Sequence, residues 1–249
     1  MNNCEHIIII RFSVRFRNRP EFSEKEKMLF TDERLKFRFD LFERFCLVGI
    51  INQTIKNFKV IVVYDELLPL KWITRLIEIT KDYDYIILHK WEKNNHIQNN
   101  NWLRKYIDNN KEYLITTRLD DDDIINKNIN KTMLNFLMRL NKKKYNLNER
   151  IITFAGGNFI DYHNDTYKIF PTKRKCLGCY LTLVTKIDSE NNIYTLCHDN
   201  IQKNCRIIKL SNAYGVLNHI MENDSRLARY GKKPKTEITY EKILDIYVN

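Results

Sequence analysis

A short apolar run, Tyr113-Leu114-Ile115-Thr116-Thr117-Arg118-Leu119, leads directly into four consecutive aspartates, Asp120 to Asp123. Few arrangements accept both halves of that segment. The apolar part reads as a strand of a buried sheet, while its tip carries like charges that repel one another unless something positive sits among them. Open α/β sheets place ligands at strand tips, and carboxylate oxygens suit hard cations such as Mg²⁺ and Mn²⁺. The run therefore predicts a divalent cation that holds a phosphorylated substrate. A plainer arrangement meets the same residues: a solvated loop, with Asp123 capping a helix that begins near residue 124.

The surrounding pattern points to an α/β fold. Residues 7–14 read as a first buried strand, followed by a polar loop over 15–31 that contains Pro20. Leu35, Phe39, Phe42, Phe45, Cys46, Val48 and Ile51 recur at helical spacing across 32–52. A β-rich run at 58–64 ends in Asp65, and 67–80 is helical with Pro69 in its first turn. A strand at 85–88, a third helix including 102–107, the aspartate strand and a helix over 126–140 follow. Such alternation predicts a parallel sheet with right-handed crossovers. Beyond it come a strand at 151–154, a hairpin of 159–162 with 167–170, and short strands at 180–184, 193–197 and 207–210. No linker separates the halves. One domain over 1–249 is expected, with a nucleotide-binding half (1–140) and a mixed β/α acceptor half (141–249).

Composition narrows the partners. The chain has 249 residues, 43% of them apolar, which suits a globular protein. No apolar run is long enough to span a membrane, and no basic leader precedes the first strand, so a cytoplasmic location is expected, with peripheral membrane association left open. The net charge of +11, from 42 basic and 31 acidic residues, favours anionic partners. Lysine-rich faces also serve solubility alone. Cys176-Leu177-Gly178-Cys179 has a zinc-site spacing, with Cys197 and Cys205 as further thiolates; the wider second spacing suits ordinary reduced cysteines better.

The passage Ile51-Asn52-Gln53-Thr54-Ile55-Lys56-Asn57-Phe58-Lys59-Val60-Ile61-Val62-Val63-Tyr64-Asp65 reads helix, turn, strand, acidic tip. It resembles the helix-to-second-strand passage of family 2-like glycosyltransferases with the GT-A fold. The closer resemblance is to a rhamnosyltransferase family within that fold, carried by Ile8-Ile9-Ile10-Arg11-Phe12, Phe39-Asp40-Leu41-Phe42-Glu43, Asp65-Glu66-Leu67-Leu68-Pro69 and Thr117-Arg118-Leu119-Asp120-Asp121-Asp122-Asp123. Fainter echoes are Tyr194-Thr195-Leu196-Cys197-His198 and Leu217-Asn218-His219-Ile220-Met221-Glu222-Asn223. The clear part covers 1–140.

The resemblance implies a GT-A-like, Rossmann-type sheet, mostly parallel and flanked by helices. It implies a metal-dependent transfer of a sugar, rhamnose by the family's label, from a nucleotide-diphosphate donor to an acceptor hydroxyl. The acceptor, whether glycan, lipid-linked or protein, is not readable. Asp120 and Asp122 stand in the Asp-x-Asp positions. Mn²⁺ or Mg²⁺ would be held among Asp120, Asp122, Asp123 and His219, with His198 second to His219. Asp65 would meet the base or ribose; Asp120 and Asp121 join the sugar-nucleotide contacts; Arg11 and Arg118 would meet phosphates or anchor a structural carboxylate. In an extended chain Asp120 and Asp122 face one side and Asp121 and Asp123 the other. Asp199 is the candidate base for the acceptor hydroxyl, with Glu222, Asp188 and Glu190 of the same chemical type.

Clustered aspartates on a basic chain also suit a two-metal nuclease or nucleotidyltransferase. The chain has only six glycines and no phosphate-cradling loop, so nucleic acid is not the expected partner. A non-catalytic, glycan-binding member of the fold is the third reading.

Overall fold

The computed structural model describes residues 3–15, 28–92, 97–154, 156–163, 166–172, 178–196, 206–210, 214–219 and 237–249. Its central sheet contains β1 (Cys4–Phe12), β2 (Lys59–Asp65), β3 (Ile86–Trp91), β4 (Tyr113–Asp120), β5 (Arg150–Phe154), β8 (Leu181–Lys186) and β9 (Arg206–Leu210). The spatial order is β3-β2-β1-β4-β8-β5-β9. The first four of these positions are parallel. β8 runs antiparallel to β4 and β5, and β9 returns parallel to β5. A second sheet, in the order β10-β6-β7-β11, joins β6 (Gly157–His163), β7 (Thr166–Thr172), β10 (Tyr214–His219) and β11 (Glu237–Ile238). The expected hairpin is the β6–β7 pair, in register from Gly157 with Thr172 to His163 with Thr166.

Helix α1 (Asp32–Leu41) continues through a π-helical segment, Phe42–Leu47, into the short α2 (Val48–Ile51). The others are α3 (Leu70–Thr80), α4 (Ile129–Lys142) and α5 (Tyr240–Tyr247). None among the described residues is long and apolar enough to cross a membrane. From β1 to β2 to β3 the chain steps in one direction, so right-handed crossovers put α1 and α3 on the same face. There Ile8, Ile10 and Phe12 pack with Leu35, Phe39 and Phe42, Trp72 and Leu76 of α3, and Met133 and Leu137 of α4.

The return from β3 to β4 must cross the opposite face. That face, with Ile7, Ile9, Ile61 and Val63, is covered by Ile97, Leu103, Ile107 and Ile193. The helix predicted to include 102–107 is only a 3₁₀ turn, Arg104–Tyr106. Asn100 and Arg104 instead bond carbonyls of the 187–191 segment, which draws the backbone away from helical pairing. The predicted strand at 193–197 is likewise a 3₁₀ turn, Ile193–Thr195, begun by an Asn192 capping box. Pro69 lies at the N-cap of α3, outside its first turn.

The π segment lets one helical rod serve two cores. Phe42 and Cys46 face the central sheet, while Leu41 and Phe45 pack with Ile160, Tyr167, Ile243 and Tyr247 beneath the second sheet. A π turn adds a residue to the cycle and so rotates the following side chains.

His6 lies buried within β1, with Nε2 2.9 Å from the Thr117 hydroxyl, itself 2.8 Å from that of Thr182. Burial pushes its pKa down to about 3 from an ordinary 6.5. The unfolded chain therefore binds a proton that the folded one refuses between these values, and stability falls as pH drops through that window. His6 should steepen the loss toward about 1.4 kcal/mol per pH unit between roughly pH 6 and 4. Urea unfolding at several pH values should show a shallower slope in His6→Asn; an unchanged slope would exclude His6 as a source.

Candidate functional site

Strand order reverses between β1 and β4, the switch point at which open α/β sheets bind ligands beyond their carboxyl ends. Arg11 and Asp120 are register partners there. Arg11 Nη2 donates to Asp120 Oδ1 at 3.0 Å, and Arg118 Nη2 donates to Oδ2 at 2.9 Å. Two guanidinium groups thus share one carboxylate, leaving a positive charge in excess within the trio. Burial alone would raise the Asp120 pKa, but Arg118 and then Arg11 hold it far below the usual carboxylate range. The trio is partly buried, with Asp120 28%, Arg11 22% and Arg118 14% exposed.

The next two aspartates turn the other way. Because β4 ends at Asp120, strand alternation does not continue through the run. Asp121 and Asp122 share the guanidinium of Arg38 on α1: Nη2 and Nε donate to Asp121, and Nη1 donates to Asp122 Oδ2 at 2.9 Å. The expected split, Asp120 with Asp122 against Asp121 with Asp123, is therefore replaced by Asp120 alone and an Arg38-bound pair. All three members of this second cluster are less than 10% exposed. Sequence reasoning missed Arg38, although a signal existed. Leu35, Arg38 and Phe42 follow helical spacing, which puts an arginine on the buried stripe.

Asp123 is buried and does not cap a helix; its N–H donates to the Asp120 carbonyl at 3.1 Å, and α4 begins at Ile129 with Asn128 at its N-cap. Burial, then repulsion from Asp122 and Asp120, pushes its carboxyl well above the ordinary range. The Cys179 thiol hydrogen-bonds this carboxyl, and burial raises that thiol well above its usual value too. Cys179 is buried and forms no disulfide; Cys176, Cys197 and Cys205 lie outside the described residues.

Beside Cys179, a Cβ on Gly178 would sit 3.2 Å from the Arg118 guanidinium carbon, and Tyr180 takes a left-handed φ of 54° while its hydroxyl donates to Asn130 at 3.2 Å. A bulky residue in that conformation is strained and must be held by its surroundings. Downstream, Gly49 allows α2 to approach Ile125, where a Cβ would meet backbone at 3.0 Å. Gln53 bonds the Asn126 carbonyl and the Asn130 N–H. The glutamine–threonine turn thus anchors the chain that follows the aspartates.

Asp65 ends β2 on the other side of β1, two strands from β4 and two residues beyond the position in register with Asp120. Its carboxylate accepts from the Arg15 side chain at 2.8 Å, the Arg15 N–H at 3.0 Å and the Leu67 N–H at 3.0 Å. Those bonds tie down the loop after β1 and leave the group 2% exposed.

As arranged, the aspartates do not fit a divalent cation. Three carboxylates are paired with arginines, and among the described residues no three His, Cys, Asp or Glu side chains converge as a metal-holding group. Other expected residues lie elsewhere. His219 ends β10 in the second sheet. His198, Asp199 and Glu222 lie outside the described residues. Asp188 lies toward the opposite end of β4 from Asp120, next to Ile187, which donates to the Glu112 carbonyl at 3.0 Å, and the Glu190 carbonyl accepts from the Asn100 N–H at 2.9 Å.

The family model described as "Putative rhamnosyl transferase" matches residues 5–232. The chain belongs to that family. No curated protein matches it. Among solved structures, S. aureus TarS 1-349 aligns with a TM-score of 0.46 and 12% identity, over 86% of this chain and 60% of that one. The family member described here thus spans about three fifths of that TarS fragment. TarS 1-349 in complex with UDP-GlcNAc gives 0.44 and 13%, covering 89% and 61%. A "putative nucleotide-diphospho-sugar transferase" from Desulfovibrio desulfuricans G20 gives 0.39 and 9%, covering 98% and 95%.

Proposed function

We propose that the chain transfers a sugar, rhamnose by the family's description, from a nucleoside-diphosphate donor, and that Arg11 and Arg118 receive the donor's diphosphate. The observation that carries this reading is the partly buried pair of guanidinium groups sharing Asp120 at the switch point. As the sugar–oxygen bond breaks, negative charge accumulates on the departing diphosphate. Guanidinium groups already fixed in place stabilise that charge without reorganising, and their forked donors match phosphate oxygens. Asp120 holds both cations side by side until the diphosphate arrives. Asp121 and Asp122, sealed against Arg38, support the strand tip.

Calorimetric titration with UDP, dTDP and GDP, followed by donor hydrolysis assays with their sugar derivatives, tests the reading. Saturable binding of at least one nucleotide, with release of its sugar, is expected. Silence with every donor would sink it. Because arginines supply the counter-charge, chelation of divalent ions should weaken nucleotide binding by less than about tenfold, the equivalent of ~1.4 kcal/mol. A larger loss would mean that the aspartates exchange arginine for metal when donor binds.

A further inference from the structure

Arg11, Arg118 and Asp120 project from the sheet face opposite the helices, and Tyr194 meets them there. Its ring centroid lies 5.1 Å from the Arg11 guanidinium carbon and 5.6 Å from that of Arg118. The ring is built into a fixed turn. The Ile193 N–H donates to the Thr116 hydroxyl at 2.9 Å, and Asn192, fully buried, donates to the carbonyls of Ile97 and Asn99 at 2.9 and 3.0 Å. The Tyr194 hydroxyl approaches the Ile9 carbonyl at 3.4 Å, a long contact. Gly178 also lies against Arg118, where an added Cβ would press on the guanidinium at 3.2 Å.

We propose that Tyr194 is a positioning residue, an aromatic platform that holds Arg11 and Arg118 together in the orientation that receives a diphosphate, with Gly178 giving Arg118 room to lie against it. The proposal rests on the diphosphate reading of the arginine pair. Two like-charged guanidinium groups repel each other, and the Asp120 carboxylate offsets that from one side. The negative face of an aromatic ring attracts both cations from another. Without the platform each arginine regains rotamer freedom that diphosphate binding must then remove.

The test uses the full chain, with UDP and inorganic pyrophosphate as probes. Tyr194→Phe keeps the ring and should bind both within about twofold of the native protein. Tyr194→Leu should bind both about tenfold or more weakly, the loss expected when a partly desolvated cation–π contact is removed. Gly178→Ala tests the same geometry separately: its methyl should displace Arg118 and weaken both probes in the same direction. Thermal unfolding of each variant reports whether it is folded. Native affinity in a folded Tyr194→Leu overturns the platform. Equal losses in Phe and Leu also overturn it, because the hydroxyl and not the ring would then matter. Should Tyr194→Leu fail to fold, native affinity in folded Gly178→Ala overturns the fixed placement of Arg118. A native protein that binds neither probe overturns the diphosphate reading itself and the platform with it, an outcome distinct from binding that ignores these substitutions.

Discussion

Replacing Arg38 by methionine should destabilise the protein by about 3–5 kcal/mol, the usual loss when one partner of a buried ion pair is removed. The apolar length of the side chain is kept, so the effect isolates the charge. Asp121 and Asp122 would be left buried without their shared guanidinium, beside the carboxylates of Asp120 and Asp123. For a chain of this size the melting temperature should fall by roughly 6–20 °C. Arg38→Lys should recover little, because a single ammonium cannot reproduce a fork that grips two carboxylates. Combining Arg38→Met with Asp121→Asn and Asp122→Asn should restore much of the loss, since no buried charge is then left unmatched. Calorimetric or urea unfolding reads each variant. A change in Arg38→Met below about 1 kcal/mol, the range of an exposed ion pair, would show that the sealed pairing does not hold in solution.

The second large effect is on catalysis. Arg118→Ala should lower kcat/KM for donor turnover by about 10²–10³, the range seen when one fixed donor to a developing negative charge is removed. Its effect on stability should be smaller than that of Arg38→Met, since Asp120 keeps Arg11 at 3.0 Å and is partly open to water. The two substitutions are therefore opposites: one arginine mainly holds the fold, the other mainly serves the reaction. Unaltered kcat/KM in Arg118→Ala would remove this arginine from the site. Arg118→Lys should restore only part of the rate, as a point charge does where a planar fork is required.

Much of the fold could be read along the chain. Strand and helix periodicities place β1, α1, β2, α3, β4 and α4 in order, because each element buries a face and must repeat its apolar residues at its own period. The errors fall where side chains compete with the backbone. Asn100, Arg104 and Asn192 bond distant carbonyls and turn an expected helix and an expected strand into 3₁₀ turns. Local pattern is blind to such contacts, which exist only once the 97–107 and 187–195 segments cross the same sheet face. Arg38 is an intermediate case. Its place on the apolar stripe was visible, but its two partners lie some 80 positions further on.

By itself the sequence placed four consecutive carboxylates at the end of an apolar strand of an α/β sheet, where they repel one another unless positive charge or solvent relieves them. Only the tertiary structure decided which charge. The β1–β4 register brings Arg11 opposite Asp120, the end of the strand at Asp120 turns the next two aspartates toward Arg38, and the return crossing of the far face delivers Tyr194 against the arginine pair. Repulsion among like charges is a property of neighbours along the chain and can be read there. Its relief depends on guanidinium groups brought close by register and crossover, and those are set by the packed sheet.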